Sequence, residues 1–398
     1  MRVLFTVRAA SGHFHPLVPL AQATRDAGHE AVFAMPRSFQ GTVERLGFRW
    51  LEAGLADSSP EYARYIEERN RLSGRERFTF HRRALVRVLA PRMVADLLRI
   101  GDSWRPDLFV RDYAEYGACI AAEVLGVPHA AHQAGATFGD TASNLAEPLA
   151  TLRARHGLPP DPEVRMPERY LMLSPFPPTL DGSGGIARPT LHHYQATPFD
   201  RSGDEGGPDG PLTIPGAPLI YATLGTEANM RTDILSAFVD AFRDERVNLV
   251  VTVGRNGNPA LFGPQPPNIR IERYIPQTLL FPRCDLVISH GGSNTMLGAL
   301  AHGIPQVMVP ISADQPLNAE RCSVVGVARV VPASLVTAAS IREAALSVLA
   351  DPGYRHAAQG IRDEMQGLPG PDKMVTLLEE LARDKVPIVA ARREDVLQ

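Results

Sequence analysis

The stretch Asp285-Leu286-Val287-Ile288-Ser289-His290-Gly291-Gly292-Ser293-Asn294-Thr295 limits what this chain can fold into more than any other part of it. The apolar run Leu286 to Ile288 reads as a strand buried on both faces, and it breaks at His290-Gly291-Gly292. From Ser293 to His302 the spacing of Met296, Leu297 and Leu300 predicts a helix, and Pro305 to Pro310 reads as the next buried strand. Such a strand–turn–helix–strand unit calls for a parallel sheet with helices on its faces. Glycines at the turn let the backbone approach a bound group closely. The open amides and positive dipole end of the helix suit a phosphate. His290, Ser293, Asn294 and Thr295 add side-chain donors, so the stretch reads as a pyrophosphate cradle. An ordinary tight turn is the competing reading.

The same alternation runs through the chain. Val3 to Val7 is an expected central strand, followed by Arg8-Ala9-Ala10-Ser11-Gly12-His13 and a helix opened by Pro16 and ended by Gly28. Glu30 to Ala34 and Pro106 to Asp112 are further strands, with a helix from Ala114 to Leu125, and Tyr170 to Ser174 reads as an edge strand. Residues 198–218 turn to Asp, Gly, Ser and Pro, the composition of a linker. Alternation then restarts at Leu219 to Thr223, which runs into Leu224-Gly225-Thr226, a turn where backbone and hydroxyl meet a phosphate. The fold class is therefore α/β, with two doubly wound, Rossmann-like halves facing each other across a cleft. The first loop lacks G-x-G-x-x-G and no P-loop motif occurs, which argues against a dinucleotide dehydrogenase and a P-loop nucleotidase.

With 398 residues, two domains are the natural expectation. A net charge of −3 gives no global argument for nucleic acid or an anionic membrane. Only Lys373 and Lys385 among the 41 basic residues are lysine, a bias that reflects GC-rich coding more than phosphate binding. Cys119, Cys284 and Cys322 form neither a metal-like cluster nor a disulfide framework. There is no signal peptide and no apolar run near the ~18 residues of a membrane span, so a cytoplasmic protein is expected.

In doubly wound sheets ligands bind beyond the carboxyl ends of the strands. His13 follows the first strand and is suited to general-base work, with a loop histidine bonded to backbone as the alternative. Asp112 ends a later strand and can orient His13, or else cap the next helix. Between Arg64 and Arg92 nine arginines are interleaved with Phe78, Phe80, Leu85, Val88 and Leu89, as in one or two amphipathic helices over the cleft. Most of these arginines form a solvated face, while a minority favour an acidic or carboxylated acceptor. Phe80 and Phe138 are expected in an acceptor pocket. In Tyr274-Ile275-Pro276-Gln277 a flat ring before a proline-restricted turn can stack on a nucleobase while backbone groups read its edge, or simply pack. Asp314-Gln315 lies just past a strand end, where a carboxylate and an amide grip a diol or cap a helix.

Together these residues resemble the family 1 glycosyltransferases of the GT-B fold, above all the bacterial natural-product branch. The resemblance covers nearly the whole chain. It rests on Ser11-Gly12-His13, Asp112, Tyr274 to Gln277, His290 to Thr295, Gly303-Ile304-Pro305-Gln306 and Asp314 to Ala319. It implies an acceptor-binding domain at 1–198, a linker at 199–217, a donor-binding domain at 218–375, and a C-terminal helix and tail at 376–398 that return to the first domain. It implies inverting transfer of a sugar from a nucleoside diphosphate to a hydroxyl of an aglycone, with His13 as base and Asp112 as its support. The departing diphosphate would be held by Gly225, Thr226, His290, Gly292, Ser293, Asn294 and Thr295, and the nucleoside sugar by Tyr274, Ile275, Gln277, Asp314 and Gln315. No metal and no cofactor are implied, and neither nucleic acid nor membrane is an implied partner; a homodimer is left open. Members that use uridine donors often carry a glutamate eight residues after the cradle histidine, and this chain has Gly298 there, which favours a dTDP-deoxysugar over UDP. Competing readings are a lipid or cell-wall acceptor, a nucleotide-sugar epimerase and a non-catalytic partner protein with the same fold.

Overall fold

Short runs of Val, Ile, Leu, Phe and Ala, each bounded by turn residues, become buried parallel strands in the computed structural model, which describes residues 1–136, 141–181, 188–200, 214–225 and 231–390, without the side chains of 141–143. Phe138 and Thr226 lie outside the described residues. The first sheet is built from β1 (Arg2–Thr6), β2 (Glu30–Met35), β3 (Arg49–Glu52), β4 (Leu108–Asp112), β5 (His129–His132), β6 (Leu171–Ser174) and β7 (Leu191–His193). Their order is β3-β2-β1-β4-β5-β6-β7, all parallel. The second sheet contains β8 (Leu219–Thr223), β9 (Asn248–Thr252), β10 (Ile269–Glu272), β11 (Leu286–Ser289), β12 (Gln306–Met308) and β13 (Ala328–Val330). It repeats the plan as β10-β9-β8-β11-β12-β13, again all parallel. In each sheet the winding reverses next to the first strand, between β1 and β4 and between β8 and β11. In doubly wound sheets the loops at such a point diverge and ligands bind beside them.

The chain divides into two compact units. The first comprises Met1–Pro175, Ser183–Gln195 and Pro369–Gln398, and the second Phe176–Gly182 and Ala196–Leu368. The chain thus leaves the first unit at Gln195 and re-enters it at Pro369, earlier than residues 198 and 376. The helix Pro371–Asp384 buries Met374, Val375, Leu378 and Leu381 and packs against the helix Val18–Asp26. Glu379 on that helix pairs with His29 at 2.7 Å.

Three expectations are corrected. Tyr170 to Ser174 is not an edge strand, because β7 pairs outside it; three residues, Leu191 to His193, are too few for a periodic signal. The arginine-rich region folds into three helices, Pro60–Arg71, Gly74–Ala84 and Ala90–Trp104, and a π-helical turn at Leu85–Leu89 joins the last two. The stretch Pro387 to Gln398, which reads in the sequence as loosely packed, is held as far as Ala390: Ile388 is buried, its amide donates to Tyr170 and that of Ala390 to Pro189. No helix among the described residues is long and apolar enough to cross a membrane.

Candidate active site

The first candidate centre lies where the first sheet reverses. β1 ends at Thr6, and the short helix Ser11–Phe14 is anchored by Phe14, which is fully buried against Phe33 and Phe39. Burying Phe14 leaves His13, one residue earlier, on a different side of that turn, with its side chain 18% exposed. Asp112 closes β4 and is fully buried. His13 Nδ1 lies 2.9 Å from Asp112 Oδ2, close enough for an ion pair though not aligned as an ideal hydrogen bond. Burial opposes the charge on Asp112 more than any single factor. His13, Arg8 and the Ala114 amide together outweigh it and hold the carboxyl below its ordinary value. Asp112 does not cap the following helix: Glu115 takes the amides of Gly117 at 2.6 Å and Ala118 at 3.1 Å.

On the other edge of the ring, Arg8 donates to His13 Nε2 at 2.7 Å. Nε2 therefore carries the lone pair and Nδ1 the proton in a neutral ring, the tautomer in which Nε2 can accept a proton. Tyr113 stacks nearby, its ring centroid 6.1 Å from that of His13. His132, opposite Asp112 in the β4–β5 register, is fully buried and bonded to Tyr194 Oη at 2.6 Å. Burial pushes His132 down to about 4. Phe80 stacks on Tyr65 with centroids 6.3 Å apart, and the neighbouring His81 takes the Tyr65 hydroxyl at Nδ1, 2.6 Å away.

The second centre lies where the second sheet reverses. Gly225 follows β8 with φ +70°, and His290 follows β11. A Cβ on Gly225 would stand 2.6 Å from the His290 ring, and one on Gly292 would stand 2.5 Å from it. The imidazole fills the space that these two glycines leave open. Gly292 is the N-cap of the helix Ser293–Ala301 and brings no capping side chain; the first intrahelical bond is Met296 to Gly292, 3.0 Å. The start of the helix thus keeps its donor character toward an anion.

The side chains expected to join that anion site are partly committed elsewhere. Ser293 Oγ donates to Asp314 Oδ2 at 2.6 Å, and Asn318 donates to Gly291 O at 2.9 Å and to Ser293 Oγ at 3.0 Å. Thr295 Oγ1 accepts from Gln277 Nε2 at 3.0 Å, and Gln277 also reaches Tyr221 Oη. Buried hydroxyls continue from Tyr221 through Thr252 and Thr223 to the Gly225 amide, bracing the loop from beneath. Gln315 folds its Oε1 back onto the amides of Ile311 and Ser312. Asp314 stands at the N-cap of Gln315–Val325 without capping it, just after Ala313 at φ +57°, an uncommon backbone state for alanine. Among the expected donor-site groups, Ile275 is buried with Tyr221 and Phe281, so only its backbone can serve a ligand. Tyr274 has the Arg255 guanidinium 3.7 Å above its ring. Gly298 presses on Phe281, where a Cβ would lie 2.5 Å from the ring, so packing by itself accounts for a glycine there.

Sequence reasoning missed several groups at these centres. Arg8, Tyr65, His81 and His132 belong to the first, and Arg255 and Asp200 to the second, while Asn318 lay inside the motif Asp314 to Ala319 without a role of its own. Asp200 takes the Gln277 and Thr278 amides at the start of the helix Gln277–Leu280, and its own carbonyl accepts from Tyr274 Oη. Only Arg8 carried a signal, two residues beyond a central strand. No group of three or more side chains suited to holding a metal ion occurs among the described residues.

Known proteins share this architecture and sequence. Residues 22–161 match the N-terminal domain model of the erythromycin biosynthesis protein CIII-like family, and residues 237–381 match its C-terminal domain model. An L-demethylnoviosyl transferase of Streptomyces niveus is 32% identical, over 97% of this chain and all of its own. A 10-deoxymethynolide desosaminyltransferase of Streptomyces venezuelae is 28% identical over 96% of this chain and 97% of its own. The crystal structure of the glycosyltransferase VinC in complex with dTDP superposes with a TM-score of 0.79 at 26% identity, covering 96% of this chain and all of VinC. With a relative this similar along its full length and both halves matched by the family's models, the chain belongs to the CIII-like natural-product glycosyltransferases, family 1 enzymes of the GT-B fold.

Proposed function

We propose that this enzyme inverts the configuration at the anomeric carbon as it moves a deoxysugar from dTDP, in preference to UDP, to a hydroxyl of a natural-product aglycone, with His13 as general base. One observation carries the reading: His13 stands between Asp112 at Nδ1 and Arg8 at Nε2, at the reversal point of the first sheet. His13 Nε2 takes the proton of the acceptor hydroxyl, and the oxygen attacks the anomeric carbon as the bond to the diphosphate breaks. The ionised Asp112 stabilises the imidazolium that forms. On the second unit, His290 and the amides at the start of Ser293–Ala301 take up the charge of the departing diphosphate, so no divalent ion is needed. Preference for dTDP is supported by the nucleotide bound to VinC rather than by Gly298, whose packing has its own explanation.

Transfer assayed by mass spectrometry over a panel of nucleotide sugars, with and without EDTA, tests this reading. Wild type is expected to turn over equally with EDTA, and His13→Ala to lose transfer by about 10²-fold or more while keeping its thermal shift with dTDP. A thermal shift larger with UDP than with dTDP would overturn the nucleotide assignment, and an active His13→Ala the base.

A further inference from the structure

Several arginines around the first centre have counter-ions. Arg71 pairs with Glu67, Arg87 with Glu147, Arg92 with Asp96, and the buried Arg153 with Glu123 at 2.6 Å. The buried Arg111 has none among the described residues, but its terminal nitrogens are spent on the carbonyls of Asp112, Tyr113, Glu115 and Pro167; Arg8, Arg69 and Arg82 differ from both groups. Arg82 is only 8% exposed and the other two are half-buried. The Nε–H of each is buried without an acceptor among the described residues, and among those residues none of the three has a carboxylate within ion-pair distance.

These three cations gather beside the base. Arg8 contacts His13 itself, Arg69 lies 5.8 Å over the Tyr65 ring, and Tyr65 is bonded to His81, the residue before Arg82. Burial first, and then the charges of Arg8, Arg69, His13 and Arg82, push His81 down to about 3, so it stays neutral and adds no further cation. Asp112 is a nearby carboxylate; it lies at ion-pair distance from His13, and the charge of Arg8 reaches it only from beyond that distance. A guanidinium withdrawn from water without a counter-charge is costly, and proteins keep such groups where a ligand completes them.

We propose that the acceptor is an anion, an aglycone with a carboxylate or a comparably acidic oxygen, held by Arg8, Arg69 and Arg82 so that its neutral hydroxyl lies against His13. This rests on His13 being the acceptor-side base. Guanidinium groups suit a carboxylate through paired, charge-assisted hydrogen bonds. Arg8 occupies the lone pair that the base needs, so an anion that draws Arg8 away frees Nε2 for the hydroxyl. Acceptor binding and arming of the base become one event.

The test uses 6-hydroxy-2-naphthoate and its methyl ester as probes, with binding followed by calorimetry on the full chain. Wild type is expected to bind the acid about tenfold or more tighter than the ester. Arg69→Gln and Arg82→Gln should each cut that preference to about threefold or less, with the thermal shift by dTDP retained. Arg69 is half-exposed, so its variant carries the test if Arg82→Gln fails to fold. Equal binding of acid and ester, no binding of the acid, or a preference unchanged in the variants overturns the proposal. If dTDP still shifts the wild type in that case, only the anionic acceptor falls; if it does not, the donor reading falls as well.

Discussion

His13 has a carboxylate on one ring nitrogen and a guanidinium on the other, and this asymmetry fixes the tautomer. Asp112→Asn keeps the shape and removes the charge. Transfer is expected to fall by about 10²- to 10⁴-fold with dTDP affinity unchanged, as steady-state kinetics and calorimetry would show. The buried histidines make a separate prediction about stability. His81 titrates near 3 and His132 near 4 in the folded chain, against 6.5 for an exposed imidazole. Below pH 6.5 the unfolded chain therefore binds protons that the folded chain refuses, and stability falls as pH drops toward 4. Urea unfolding between pH 7 and pH 4 should show that slope, and His132→Phe should flatten it. A slope unchanged in the variant would mean that other groups set the acid limit. At this scale the sequence places Asp112 at the end of one strand and His13 in the loop region after another, and the structure brings the two within 2.9 Å. Arg8 carried a signal by its place just past a strand, but Arg69 and Arg82 were not separable from their solvated neighbours, since only packing decides which of many arginines turns inward.

The cradle unit from Leu286 to Met308 was read correctly as strand, turn and helix, since run length and glycine position encode all three. What the pattern could not encode is why there are two glycines. His290 fills the space beside Gly225 and Gly292, which are 67 residues apart in the chain but close in space. Gly292 has an ordinary φ of −64°, so Gly292→Ala adds no backbone strain and acts only by displacing the ring. The thermal shift by dTDP should shrink in this variant while its unliganded melting temperature stays within a few degrees of wild type. A full shift would show that the position of His290 is irrelevant to the nucleotide. The strands β7 and β13, three residues each, and the helix Pro352–Gln366 escaped the sequence reading. Short strands owe their existence to the neighbour they pair with, and that information is not local.

Across the molecule, two sheets with the same strand order were legible in outline because the alternation restarts after a stretch of Gly, Pro and Asp. The route of the chain between units was less so: Phe176–Gly182 belongs to the second unit, and Pro369–Gln398 completes the first. Leu378, fully buried in the returning helix, tests that division. Leu378→Ala should cost about 2–5 kcal/mol in the first unit alone, so that its melting transition moves down while the one stabilised by dTDP does not. A joint shift of both transitions would mean that the units unfold as one.

The helix Pro371–Asp384 and the pinned residues up to Ala390 also set an order of events at the ribosome. The amino-terminal sheet is synthesised first, yet the surface of Val18–Asp26 stays uncovered until the final helix emerges. At about 5–20 residues per second, the 173 residues from Ala196 to Leu368 delay that helix by roughly nine to thirty-five seconds. The half that is made first is the half that finishes folding last, and for that interval the nascent chain exposes an apolar face whose partner has not yet been translated.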